Sequence, residues 1–280
     1  LIECPRDAMQ GIRSHFIPTD LKAKYINALL KVGFDTIDFG SFVSPKAIPQ
    51  MRDTAKVLSK LNLNESSSKL LAIIANKRGA MEAASFDEID FLGYPFSISE
   101  NFQMRNTGKT INQSFTLLDE LIQIQEKSNK TLVVYLSMGF GNPYGDPWSV
   151  DIVASWIDKL ANTGIEIISL SDTIGSSTSG VIFSLFEELI PTYPSVEFGA
   201  HLHSTSNSWF EKVDAAFKGG CRRFDGAIKG YGGCPMAKDE LVGNMPTEKL
   251  ISYFNQQKTL LKVDPMRFET AYNVALDVFG

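Results

Sequence analysis

Short apolar, β-branched runs alternate along the chain with stretches of helical periodicity. The runs fall at residues 1–4, 36–39, 69–74, 89–94, 131–138, 165–171, 196–202 and 223–227, which makes eight strand candidates. Between the first two, Leu21, Tyr25 and Leu29 share one helical face, with Pro18-Thr19 just before it and Gly33 where the helix should end. Ile111, Phe115, Leu118 and Ile122 make a second stripe, and Trp209, Val213, Ala216 and Phe217 a third. Gly164 and Gly219 each separate such a helix from the strand that follows, which is the punctuation of βαβ units. Eight repeats of this unit predict a closed (β/α)8 TIM barrel, an architecture that takes about 250 residues. A last helix-like segment, 263–280, is left over to cover the barrel or a subunit contact in a homodimer.

Composition narrows the class. With 280 residues, 44% of them hydrophobic and 21% charged, and no Pro/Ser/Gly-rich linker, the chain predicts a single catalytic domain over 1–280. The 27 Lys and Arg are scattered among 32 Asp and Glu, for a net charge of −5, so no basic block offers a track for nucleic acid. No apolar run approaches the roughly 18 residues of a membrane helix, and no membrane partner is expected. Cys4, Cys221 and Cys234 are too few for a disulfide framework and point to a reducing compartment, the cytoplasm. The chain begins inside its first predicted strand without a leader pattern, so residues preceding it are expected.

In a TIM barrel the chemistry sits where the strands end, which selects the residues just after each apolar run. Those positions hold Arg6 and Asp7 after the first run, Asp172 after the sixth, His201 and His203 at the seventh, and a Gly230-Tyr231-Gly232-Gly233-Cys234-Pro235 loop after the eighth. His201 and His203 are two apart, so on a strand both imidazoles point into the mouth. Barrel closure makes strands seven, eight and one neighbours, which lets Asp7, both histidines and Asn244 meet. One carboxylate, two imidazoles and one amide oxygen suit Mg2+ or Mn2+ better than structural zinc. Adjacent residues at a strand end point apart, giving Arg6 and Asp7 separate roles, with Arg6 suited to a developing oxyanion. Asp38, within strand two, and Asp172 are candidates to buttress Arg6 or to cap a loop. Cys234, on its glycine-rich loop, is placed to shuttle protons, whereas Cys4 and Cys221 read as small fillers.

Pro5-Arg6-Asp7-Ala8-Met9-Gln10, Ser41-Phe42-Val43-Ser44-Pro45-Lys46, Asp172-Thr173-Ile174-Gly175, His201-Leu202-His203 and Gly232-Gly233-Cys234-Pro235 together resemble the 3-hydroxy-3-methylglutaryl-CoA lyase family, from residue 1 to about 250. Arg-Asp-x-x-Gln and His-x-His are shared with the wider Claisen synthase and aldolase superfamily, while the serine-proline and Gly-Gly-Cys-Pro motifs point to the lyase branch. The resemblance implies a divalent cation on Asp7, His201, His203 and Asn244, an enolate-stabilising Arg6, a proton-transferring Cys234, and an acyl-CoA thioester as substrate. It implies retro-Claisen cleavage to acetyl-CoA and acetoacetate, with Asp7 or His201 as the base. Lys46, Arg105 and Lys109 are candidates for the CoA phosphates. Three positions depart from the family's usual residues: Ala8 replaces glycine, Asp38 replaces glutamate and Ser204 replaces an aspartate. Two other readings stand beside this one, a related metal aldolase or acyl-CoA condensing enzyme, and a barrel that only binds a ligand or partner, which the missing carboxylate at 204 keeps open.

Overall fold

The predicted alternation closes into a barrel in a computed structural model, which describes residues 1–233 and 242–280. The chain begins β1 (Ile2–Glu3), α1 (Pro5–Gln10), α2 (Thr19–Leu30), β2 (Thr36–Ser41), α3 (Thr54–Leu58), β3 (Lys69–Ile73) and α4 (Lys77–Ala84). It continues through β4 (Phe91–Ser97), α5 (Glu100–Thr107), α6 (Ile111–Ser128), β5 (Thr131–Ser137), α7 (Val150–Asn162), β6 (Ile167–Ser171) and α8 (Ser179–Thr192). The last part holds β7 (Glu197–His201), β8 (His203–Ser204), α9 (Trp209–Lys218), β9 (Arg223–Gly226), β10 (Gly243–Asn244), α10 (Thr247–Gln256) and α11 (Pro265–Phe279). Strands β1 to β7 and β9 are parallel neighbours in that order, and β9 returns to β1 with Asp225 opposite Ile2. The short β8 and β10 pair antiparallel, which sets Asn244 opposite His203.

The period of two decides what fills the barrel. Leu71, Ile73, Phe91, Val133, Tyr135 and Ile167 point inward and pack on one another, while Leu70, Ala72, Leu92, Val134, Leu136, Ile168 and Leu170, one step out of phase, face the helices. Each fully buried aliphatic side chain contributes about 1.5–3 kcal/mol of transfer free energy, so a one-residue register slip would exchange the two sets and is strongly disfavoured.

Several helices start at a capping side chain. Thr110 and Gln113 form a reciprocal capping box on α6, and the Ser149 hydroxyl accepts from the Ile152 N–H on α7. The fourth strand departs from expectation by starting at Phe91 rather than 89 and running past Pro95 to Ser97. Proline is tolerated because a parallel strand sends successive N–H groups to alternate neighbours. The Gly93 carbonyl accepts from the Ile74 N–H on the β3 side and the Ile98 N–H donates to the Ser137 carbonyl on the β5 side, so the donor absent at Pro95 falls on the β3 side and the pairing with β5 is kept. The C-terminal segment forms α11, whose Phe268 meets Phe34 edge-on at 6.4 Å and whose Phe279 meets Tyr25 at 5.9 Å, so it covers α2 on the barrel's outside. No helix among the described residues is long and apolar enough to cross a membrane.

Candidate active site

Pro5 ends β1 after two paired residues and opens α1, so Arg6 and Asp7 lie on a helical turn rather than at a strand end. This corrects the expectation that they point apart. Successive helical residues are only about 100° apart around the axis, and the Arg6 Nη1 donates to Asp7 Oδ1 at 2.9 Å. The other edge of the guanidinium grips Asp38, with Nε at 3.1 and 3.0 Å from its two oxygens and a further bond from Nη2 to Oδ2. Asp38 therefore buttresses Arg6, one of its two expected roles. Burial pushes the Asp38 carboxyl up to about 6, against the pull of Arg6.

Asp7 is held from three sides. Gln10 Nε2 donates to its Oδ1 at 2.6 Å and Asn244 Nδ2 to its Oδ2 at 2.7 Å, in addition to Arg6. Burial raises its pKa, but Arg6, the two histidines and the Asn244 bond outweigh that and hold the carboxyl at about 2. Asp7 is thus a carboxylate at neutral pH. The rings of His201 and His203 stand 5.3 Å apart, and Asp7, His201 and His203 each offer a donor atom within 4.8 Å of the others.

Both imidazoles are oriented from behind. His201 Nδ1 lies 3.0 Å from Asp225 Oδ2, and His203 Nδ1 lies 3.1 Å from the Thr173 carbonyl. Burial, then the neighbouring His201, push the His203 imidazole down to about 4, so it is neutral and able to ligate. Burial also opposes charge on His201, yet the Asp225 hydrogen bond and charge outweigh it and raise its pKa. His203 Nε2 is buried without a hydrogen-bond partner among the described residues. A buried, neutral, unpaired imidazole nitrogen beside a carboxylate and a second imidazole fits a divalent cation. Asn244, the fourth residue expected from the sequence, lies beside Asp7 and opposite His203, with its amide nitrogen donating to the Asp7 carboxylate and the Tyr231 carbonyl.

The remaining candidates divide. Asp172 takes the second of its two expected roles, capping the loop after β6 by accepting from the Ser177 N–H at 3.1 Å, while Lys212 Nζ donates to it at 2.7 Å. Cys234 lies outside the described residues. Lys46 and Arg105 are exposed and Lys109 half-buried, on segments following β2 and β4, with the Arg105 guanidinium over the Tyr144 ring at 4.9 Å. Three residues near the site were missed as contributors. Asp225 was legible in principle, since Arg223 and Asp225 occupy alternate positions in β9 and so face the barrel interior with His201. Cys4, read as a filler, is buried with its sulfur in a second close set with His201 and Asp225. Lys212, inside an amphipathic helix, gave no signal.

The HMGL-like family model matches residues 4–274. The chain belongs to this family. It is 31% identical to hydroxymethylglutaryl-CoA lyase YngG of Bacillus subtilis (strain 168) over 267 residues, 94% of this chain and 87% of that protein. It is 32% identical to the mitochondrial hydroxymethylglutaryl-CoA lyase of Rattus norvegicus over 88% of this chain and 75% of the other. An HMG-CoA lyase from Acinetobacter baumannii, solved in complex with coenzyme A and 3-methylmalate, superposes with a TM-score of 0.90 at 29% identity, covering 99% and 90% of the two chains. The HMGL-like protein is accordingly a lyase built on a TIM barrel, with a donor set able to hold a divalent cation at its mouth.

Proposed function

We propose that this lyase cleaves 3-hydroxy-3-methylglutaryl-CoA, or a close 3-hydroxyacyl-CoA, to acetyl-CoA and acetoacetate, with Mg2+ or Mn2+ held by Asp7, His201, His203 and Asn244. The observation that carries the reading is the meeting of Asp7, His201 and His203 donors within 4.8 Å, directly beside the Arg6 guanidinium. The Acinetobacter baumannii relative with bound coenzyme A supports an acyl-CoA thioester as substrate. When bound, the cation would supply Lewis acidity that lowers the pKa of the substrate's tertiary hydroxyl.

The chain's own groups then divide the work. Asp7, ionised at neutral pH, or His201 takes the hydroxyl proton as the carbon–carbon bond breaks. Arg6, locked by Asp38, holds the oxygen of the departing thioester enolate. Cys234 delivers a proton to the enolate carbon, a role that rests on the Gly-Gly-Cys-Pro resemblance. The test is incubation with 3-hydroxy-3-methylglutaryl-CoA and Mg2+ or Mn2+, with acetyl-CoA and acetoacetate measured together. Both products are expected in equal amounts, and His203→Ala should abolish them. Absence of both at saturating metal would refute the substrate assignment.

A further inference from the structure

Lys212 projects from α9 into the protein with its side chain only 2% exposed, where an unpaired ammonium would be heavily penalised. All three of its N–H bonds are used: Nζ donates to Asp172 Oδ2 at 2.7 Å, to the Gly175 carbonyl at 2.8 Å and to the His203 carbonyl at 2.8 Å. Asp172 is further satisfied by the N–H and hydroxyl of Ser177. Two of the three acceptors thus belong to the loop after β6, and the third is the main chain of a residue in the cation donor set.

That same loop meets the His203 ring from the other side, through the Thr173 carbonyl at 3.1 Å from Nδ1. It is itself tied to its neighbours, because the Asp172 N–H donates to the His201 carbonyl at 3.0 Å and the Met138 N–H to the Thr173 hydroxyl at 2.9 Å. A carbonyl oxygen can only accept, so His203 must carry its proton on Nδ1 and present a lone pair at Nε2. The residue that follows gives no help: the Ser204 hydroxyl is buried and makes no hydrogen bond among the described residues.

We propose that Lys212 is a positioning residue for the cation site: by tying the loop after β6 to the His203 main chain, it holds His203 in the Nδ1–H tautomer and orientation that a divalent cation requires. This rests on the metal reading given above. Lys212 touches neither substrate nor cation; it acts through Asp172, Gly175 and His203.

The test uses the full chain and Mn2+ alone, with two readouts besides turnover. Long-range proton–nitrogen NMR of the metal-free, histidine-labelled protein should show His203 protonated on Nδ1, and an Nε2–H tautomer in the parent overturns the proposal without any variant. Mn2+ titration followed by electron paramagnetic resonance should show affinity falling roughly 10- to 100-fold in Lys212→Met, the usual effect of removing a group that orients a ligand. Lys212→Gln removes the buried charge while keeping two amide donors, so it serves where the methionine variant does not fold, and it should recover part of the affinity. Mn2+ affinity within twofold of the parent in every folded Lys212 variant, while His203→Ala loses it, overturns the role of Lys212 alone. If His203→Ala also leaves Mn2+ affinity unchanged, the metal reading fails with it.

Discussion

Asp7 and Asn244, 237 positions apart in the chain, meet at 2.7 Å through the Asn244 amide. The contact exists because β9 closes on β1, and because the chain after β9 passes close over α1. Gly232 makes that passage possible: a Cβ there would lie 2.7 Å from Asn244 Nδ2, 2.8 Å from the Asp7 carbonyl and 2.8 Å from Ala8 Cα, at a backbone φ of +93° that favours glycine.

Gly232→Ala should therefore push Asn244 and the first turn of α1 apart. We expect Mn2+ affinity to fall at least tenfold, in line with other losses of support around a metal ligand, with the barrel's circular dichroism unchanged. Calorimetric titration reads the effect, and parental affinity would mean the loop relaxes without moving Asn244.

Arg6→Gln removes the charge that, on the proposed reading, faces the enolate, and it also takes away the partner of the buried Asp38 carboxylate, so folding is checked by circular dichroism beside activity. Turnover should drop by roughly two to four orders of magnitude with a much smaller change in KM, as expected for a group that acts chiefly in the transition state. Equal damage to kcat and KM in steady-state assays at saturating metal would assign Arg6 to substrate binding instead.

Glu3 is fully buried behind the barrel wall, accepting from the Ile228 N–H and the Thr247 hydroxyl. Burial drives its carboxyl up to about 8, against those two bonds. A carboxyl whose pKa is higher in the folded chain holds its proton more tightly there, so folding stability falls as pH rises from the ordinary glutamate range toward that value. Glu3→Gln removes this dependence. The variant should gain on the parent by a few kcal/mol, about 1.4 for each pKa unit crossed, between about pH 5 and pH 8. His201, whose pKa is also raised, contributes the same slope to both proteins and cancels. Denaturant unfolding of the pair at both pH values decides it, and parallel curves would show that Glu3 does not titrate in this range.

Cys234→Ala should retain Mn2+ binding yet lose roughly 10²- to 10⁴-fold in turnover, the reach of a positioned acid–base group. Cys234→Ser should recover little, because a hydroxyl's pKa is far from neutrality. Turnover within a few-fold of the parent would remove Cys234 from the chemistry.

The barrel was legible because its determinants are local. Alternation of period two in each strand, helical stripes such as Leu118 on α6, and glycines at the joints each specify their own element, and eight repeats leave one closed arrangement. His201 and His203 were legible for the same reason, since their spacing fixes a shared face. What surrounds them was decided by contacts between distant segments. The Arg6 and Asp7 pairing depended on Pro5 turning a strand into a helix at once. The Asp225 carboxylate behind His201 required β7 and β9 to be neighbours in register. Lys212, on a helix whose pattern reads as an ordinary amphipathic surface, became a buried clamp only because α9 packs against α8 and β8, which brings its side chain to the loop after β6, where Asp172 offers a compensating charge. A charged residue's partner is set by the closure of the whole barrel, and no spacing along the chain encodes it.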